Sequence, residues 1–206
     1  MAFWLGLRQN RAKQTGSKAA QMRKWKTLSD KVILDRSPHV RVTQQSVETD
    51  SGQIVPDFYQ VDLGTFVICV PLLPDGTVLT LRTYKHGAGR VSTTFPAGKV
   101  EDAEAPDMAM ARELLEETGY KAAKLVPLGR FVDNGNQIGT VGHYYIALGC
   151  TQVQAPDDGD LETMQIELRT PADIEAEIFN GAMPIMHNVA AWLLARTWQA
   201  RGDGQD

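Results

Sequence analysis

The sequence predicts a mixed α/β (α+β) fold built around one principal domain. Strand-like runs, a helix, further strands and closing helices follow one another in that order, the pattern of a layered α/β or α+β domain. A length of 206 residues suits one domain with a small appended element. A content of 43% hydrophobic and 22% charged residues supplies a core of ordinary globular kind. No apolar run approaches the roughly 20 residues of a membrane span. The net charge of −4 argues against a general electrostatic nucleic-acid binder, so neither membrane nor nucleic acid is an expected partner.

Residues 1–25 form a basic N-terminal arm. Arg8, Arg11, Lys13, Lys18, Arg23 and Lys24 all come before the first acidic residue, Asp30. The apolar MAFWLGL lies ahead of those charges, the wrong order for a signal peptide. Residues 26–63 read as an N-terminal antiparallel β-element. KVILD and the alternating VRVTQQSVET come first, then a turn at Asp50-Ser51-Gly52, then IVPDFYQVDL. Such a small sheet scarcely buries its apolar face alone, so a second copy of the chain is its natural cover and a homodimer is expected.

The main domain is expected over residues 64–206. TFVICVPLL and TVLTLRTY, joined by Pro74-Asp75-Gly76, predict a β-hairpin of the central sheet. A loop from Lys85 to Arg90 leads to TTFPAG. LVPLGRFV and GHYYIALGC are two more strands around a Gly/Asn-rich loop, and TMQIELRT follows the acidic QAPDDGDLE. A helix is expected over PADIEAEIFN, begun by Pro171 and stopped by Gly181, and another over HNVAAWLLARTWQA. Trp192 and Trp198 on that last helix read as core or dimer contacts. The only two cysteines, Cys69 and Cys150, sit in apolar strands. They read as buried free thiols of a reducing compartment, with neither a disulfide framework nor a zinc site, which favours a cytoplasmic location.

The chemistry is concentrated in GKVEDAEAPDMAMARELLEETGY, residues 98–120. Pro106 starts a helix that should run to about Thr118, with Gly119 as its terminator. Met108, Ala111, Leu114 and Leu115 are expected to face the core. Glu113, Glu116 and Glu117 at i, i+3 and i+4 share a face, where like charges weaken a helix by a few tenths of a kcal/mol per pair. Arg112 is one cation against three anions. Either the face is simply solvated, or a divalent cation resolves the repulsion. Clustered carboxylates with a nearby main-chain carbonyl from Ala97 or Gly98 suit Mg²⁺ or Mn²⁺ shared with substrate phosphates.

The same segment resembles the Nudix box. Gly98, Glu104, Arg112, Glu113, Leu114, Glu116, Glu117, Gly119 and Tyr120 fill its constrained positions, with Tyr120 counted as apolar. The resemblance implies an αβα sandwich around a mixed sheet and hydrolysis of a nucleoside diphosphate linked to another group, with Mg²⁺ or Mn²⁺ as cofactor. Carried over by position, Glu113 and Glu117 are the main metal ligands, Glu116 shares a further ion and Ala97 adds its carbonyl. Arg112 and Glu104 form the ion pair that orients the glutamates. The N-terminal strands with RTYKHG and FPAG look like the ADP-ribose and nucleotide-sugar pyrophosphatase branch, whose dimers place the nucleoside base between subunits. Thr94, where that branch usually has Glu, and Gly135-Asn136, where it tends to have Pro, depart from its pattern. The base that activates water is expected among Asp157, Asp158, Asp160 and Glu162, with Glu162 favoured because it sits immediately before a strand. Lys85 and Arg90 either bind phosphate oxygens or merely keep their loop soluble. Two other readings remain open at this level: hydrolysis of nucleoside triphosphates or dinucleoside polyphosphates, and a ligand-sensing module without turnover.

Overall fold

A computed structural model describes residues 22–157 and 163–202, and the first elements described are antiparallel strands. Strand β1 (Lys26–Arg36) pairs with β2 (Val40–Glu48), which pairs with β3 (Ile54–Pro71). Every residue of β1 is exposed, including Leu28, Val32, Ile33 and Leu34. The second half of β3 is buried on both faces, as a central strand demands. Gly64, at φ 86°, marks an irregularity between Asp62 and Thr65, where the strand passes from one setting to the other.

Next come β4 (Val78–Lys85), β5 (Arg90–Thr94) and the short β6 (Ala97–Lys99), which lead into helix α1 (Pro106–Thr118). Then follow β7 (Tyr120–Lys121), β8 (Lys124–Val132), β9 (Gly139–Leu148), β10 (Thr151–Gln152) and β11 (Met164–Arg169). Helices α2 (Pro171–Asn180) and α3 (Met186–Ala200) close the chain. The mixed sheet has the order β1-β2-β3-β9-β8, with β6 on the β2 side of β3 and β9 parallel to β3. A second sheet, β11-β4-β5, is antiparallel, and β7 pairs with β10.

Strand alternation divides the core in two. Val67 and Cys69 of β3, with Tyr145 and Ala147 of β9, pack against Ala109, Met110 and Leu114 of α1. Ile68, Val70, Tyr144 and Ile146 face the other way, onto Ile174 of α2 and Trp192 and Ala195 of α3. Phe95 stacks on Trp192 at 6.3 Å, and Trp198 packs partly buried against the same cluster. The result is helix, sheet, helix, the expected αβα sandwich. Cys69 and Cys150 are buried and free. Among the described residues no helix is long and apolar enough to cross a membrane.

Two expectations need correction. The run to Leu73 and the strand from Val78 do not form a hairpin of one sheet. A single bridge, Leu72 to Val78, follows the turn, and the chain then moves from the mixed sheet into the second one. The turn itself is as expected, with Gly76 at φ 85° and Asp75 Oδ1 accepting from the Thr77 N–H at 2.9 Å. The core face of α1 is also rotated. Leu114 is buried with Ala109, Met110 and Thr118, whereas Met108 is 63% exposed and Ala111 also faces solvent. Ala109, Met110 and Leu114 pack against Val67 and Cys69 of β3, so the stripe that meets the sheet runs through 109, 110, 114 and 118.

Candidate active site

Helix α1 stops where its sequence says it should. Pro106 occupies the first turn, where its missing N–H costs nothing, and Gly119 terminates the helix at φ 75° with its N–H on Leu115 O. That fixes Glu113 and Glu117 one turn apart on the side facing β6.

Strand β6 supplies the other wall. Cys69 N–H bonds to Pro96 O and Val100 N–H to Thr65 O, with Gly98 opposite Val67. By ladder alternation the main-chain groups of Ala97 and Lys99 then face away from β3, toward α1. The Ala97 N–H donates to Glu117 Oε2 at 3.0 Å, and Lys99 O accepts from Arg112 Nη2 at 3.1 Å. A Cβ on Gly98 would lie 1.9 Å from the Glu113 carboxyl carbon, so Gly98 is a floor on which that carboxylate rests. The turn before β6 is tied from behind by the buried Asn188, whose Oδ1 accepts from the Phe95 N–H at 2.7 Å.

Arg112 is the hub. Its Nε and Nη2 grip both oxygens of Glu104 at 3.0 Å, while Nη1 reaches Glu113 Oε1 at 2.8 Å and Glu116 Oε2 at 3.0 Å. Hydrogen bonding to Glu104 raises the Arg112 pKa, and the reciprocal bonds hold Glu104 below the usual carboxylate range. Glu113 goes the other way. Its side chain is only 15% exposed, and burial pushes its carboxyl up despite the guanidinium beside it. Glu116 is about half exposed.

The expected residues are thus partly assembled. Ala97, Gly98, Arg112, Glu113, Glu116 and Glu117 come together between α1 and β6. Lys85 and Arg90 face each other across the β4–β5 ladder of the second sheet. The strand leaving β10 folds onto the helix end: Val153 and Gln154 N–H donate to Gly119 O, and Asp157 N–H to Glu116 O at 2.8 Å. Asp157 therefore stands at the C-terminal end of α1, while Asp158, Asp160 and Glu162 lie outside the described residues. Sequence reasoning missed Asn188, because a lone Asn in an amphipathic helix gives no sign of its distant partner.

Donor chemistry suits a hard divalent cation, since Glu113, Glu117 and the outward main chain of Ala97 offer oxygen ligands. Among the described residues no three acidic, His or Cys side chains already form an ion cage. Arg112 Nη1 lies between Glu113 and Glu116 and holds them as a cation would.

A family model, the NUDIX domain, matches residues 63–189. The chain belongs to the Nudix family. An ADP-ribose pyrophosphatase of Bacillus subtilis (strain 168) is 26% identical over 106 residues, 50% of this chain and 57% of that protein. The chain thus spans little more than half the length of that relative. A CMP-5'-(N-acetyl-N-hydroxy-3-aminopropyl)phosphonate hydrolase of Streptomyces rubellomurinus (strain ATCC 31215) is 27% identical over 175 residues, 84% of this chain and 82% of the relative. In fold, the chain is similar to the crystal structure of an ADP compounds hydrolase, with a TM-score of 0.75 and 20% identity over 89% of this chain and 98% of that one. As a Nudix member, its box comprises Gly98 to Tyr120.

Proposed function

We propose that this Nudix protein is a pyrophosphohydrolase that cleaves the diphosphate of ADP-ribose or a nucleotide sugar, releasing a nucleoside monophosphate and a sugar phosphate. One observation carries the reading: Glu113 and Glu117 converge on the Ala97–Gly98 edge of β6, with Arg112 tied to Glu104 behind them. The named relatives that act on ADP-ribose and on a CMP conjugate support the substrate class.

In this reading Glu113 and Glu117, with Ala97 O, would hold Mg²⁺ or Mn²⁺, and Glu116 would hold a further ion. Such a cation, when bound, would supply charge to offset the diphosphate and Lewis acidity to polarise a water. Arg112 keeps its grip on Glu104 and on Lys99 O, so the glutamates stay oriented. Lys85 and Arg90 bind phosphate oxygens. A carboxylate of the 157–162 loop, Glu162 by preference, takes the proton of the attacking water. Water adds to one phosphorus, the bridging P–O bond breaks, and the departing phosphate carries away the charge.

Residues 26–63 form the dimerisation element in this reading, and two such sheets cover each other's exposed apolar faces about a two-fold axis. Free buried thiols favour the cytoplasm. Incubation with ADP-ribose, sugar nucleotides, nucleoside triphosphates and Mg²⁺, with products read by mass spectrometry, tests the activity. The expected products are AMP and ribose 5-phosphate. Turnover of nucleoside triphosphates alone would overturn the assignment.

A further inference from the structure

A cavity of about 770 Å³ opens where the N-terminal sheet, the box loop and the mixed sheet meet. That volume falls within the roughly 300–1,000 Å³ of small-molecule sites. A break in β3 borders it: Gly64, at φ 86°, lies in the irregularity between Asp62 and Thr65, and all three line the space. Arg130 of β8 and His143 of β9 line it directly opposite each other in their ladder. His143 is in turn opposite Val67, whose side chain packs against α1, so this is the α1 face of the sheet. Pro38, in the turn between β1 and β2, and the box loop from Lys99 to Ala103 supply further walls, tied together where Lys99 Nζ donates to Pro38 O at 2.9 Å. None of Glu113, Glu116 and Glu117 lines the cavity.

The lining tells what such a space takes. Among the described residues it holds no Phe, Tyr or Trp, so it lacks a platform on which a base could stack. Arg130 belongs to no ion pair among the described residues. Burial, and then the Arg130 charge, hold the His143 pKa below its usual value, so at neutral pH the ring offers an N–H and not a second charge. A guanidinium without a carboxylate partner, beside an imidazole donor, matches a phosphate. Carboxylates stand elsewhere on the wall: Asp62, whose Oδ1 accepts from the Gly64 N–H at 2.8 Å, and Glu101 and Asp102 on the box loop. These accept from hydroxyl groups and would repel a second phosphate. One phosphate with several hydroxyls describes a sugar phosphate.

We infer that this cavity is a second ligand site, which takes a sugar phosphate with its phosphate on Arg130 and His143 and its hydroxyls on Asp62, Glu101 and Asp102. The site goes beyond the proposed hydrolysis and does not depend on it. The box loop continues to Glu104, whose Oε2 accepts from the Glu101 N–H at 3.1 Å and from Arg112 Nη2 at 3.0 Å. A bound sugar phosphate would therefore rest on the same loop that orients the glutamates.

The test is calorimetric titration of the full-length protein in EDTA with ribose 5-phosphate, ribose and inorganic phosphate, in wild type, Arg130→Glu, Arg130→Lys and Glu117→Gln. Arg130 is exposed on the edge strand β8, so its replacement leaves the core intact. The expected result is that wild type binds ribose 5-phosphate at least tenfold more tightly than inorganic phosphate and gives no signal with ribose. Arg130→Glu should weaken ribose 5-phosphate by roughly tenfold or more, and Arg130→Lys, which keeps the charge but loses the fork, by about threefold. Glu117→Gln should bind it as wild type does, and all melting temperatures should stay unchanged. Affinity that falls in Glu117→Gln but not in Arg130→Glu places the phosphate at the box carboxylates and overturns the site. Inorganic phosphate binding as tightly as ribose 5-phosphate overturns the sugar assignment, and a wild type that binds no ribose 5-phosphate overturns the whole inference.

Discussion

Gly98 lies directly beneath the carboxylate of Glu113, so close that a single methyl group would overlap it. The obstacle is the far end of a flexible side chain, which can swing aside. Gly98→Ala should therefore fold with a melting temperature near wild type, yet bind Mn²⁺ at least tenfold more weakly by electron paramagnetic resonance. Gly119→Ala is the contrasting case. There the new Cβ meets the Gln154 carbonyl oxygen at 2.2 Å, at φ 75°, and main chain cannot swing away. Left-handed backbone alone costs a non-glycine residue roughly 1–2 kcal/mol. That variant should lose stability first, seen as a lower melting temperature.

Glu117→Gln and Glu113→Gln should each lower turnover by several orders of magnitude, with circular dichroism unchanged. Each removes a ligand charge on the β6-facing side of α1. Wild-type turnover in Glu117→Gln would defeat the metal assignment.

Burial raises the Glu113 carboxyl above its ordinary 4.5. A raised folded-state value means that the proton stabilises the folded form. In metal-free protein this stabilisation is complete below about 4.5 and is lost as pH climbs through the raised value. Glu104, lowered by Arg112, acts oppositely: its stabilisation holds above 4.5 and fades as pH falls through its depressed value. Chemical denaturation of chelated wild type and Glu113→Gln from pH 4 to 8 checks this. The stability difference should shift in favour of Gln as pH rises, and a flat difference would refute it.

Asn188→Leu should destabilise the protein by about 1–3 kcal/mol, the cost of leaving the Phe95 N–H buried without an acceptor. Because that bond anchors the turn into Ala97, kcat should also fall while KM for the nucleotide changes little. Urea denaturation and steady-state kinetics separate the two effects.

Light scattering of the intact chain should give twice the monomer mass, and Leu28→Lys with Val32→Lys should halve it, since both positions are exposed on β1. A monomeric wild type with full activity would remove the dimer from the reading.

Much of the site was legible because it is local. The i, i+3, i+4 carboxylates, Pro106 and Gly119 sit within one helix, where sequence spacing is spatial spacing. What escaped depends on distant partners. The Pro74-Asp75-Gly76 turn could be read, but not that β4 would pair with β11 and β5 instead of β3. The buried side of α1 was misjudged, since Met108 and Ala111 are as apolar as Met110 and Ala109 and only packing against β3 decides between them. Asn188 meets Phe95, and Arg130 shares a cavity with Pro38, only after the chain has folded.

Strand β3 has a further consequence. Between Val67 and Val70, each residue is wholly buried, and alternate side chains serve opposite layers of the sandwich. Inserting or deleting one residue just before Val67 would exchange the two sets, sending Ile68 and Val70 toward α1 and Val67 and Cys69 toward α3. It would also slide Gly98 out of register with Val67, carrying the floor of Glu113 with it. Chain length is therefore fixed in this stretch, whereas the exposed turns at Ser51-Gly52 and Asp75-Gly76 can lengthen freely. A library of single-residue insertions should show a sharp gap in tolerance across 65–71, flanked by permissive turns on either side.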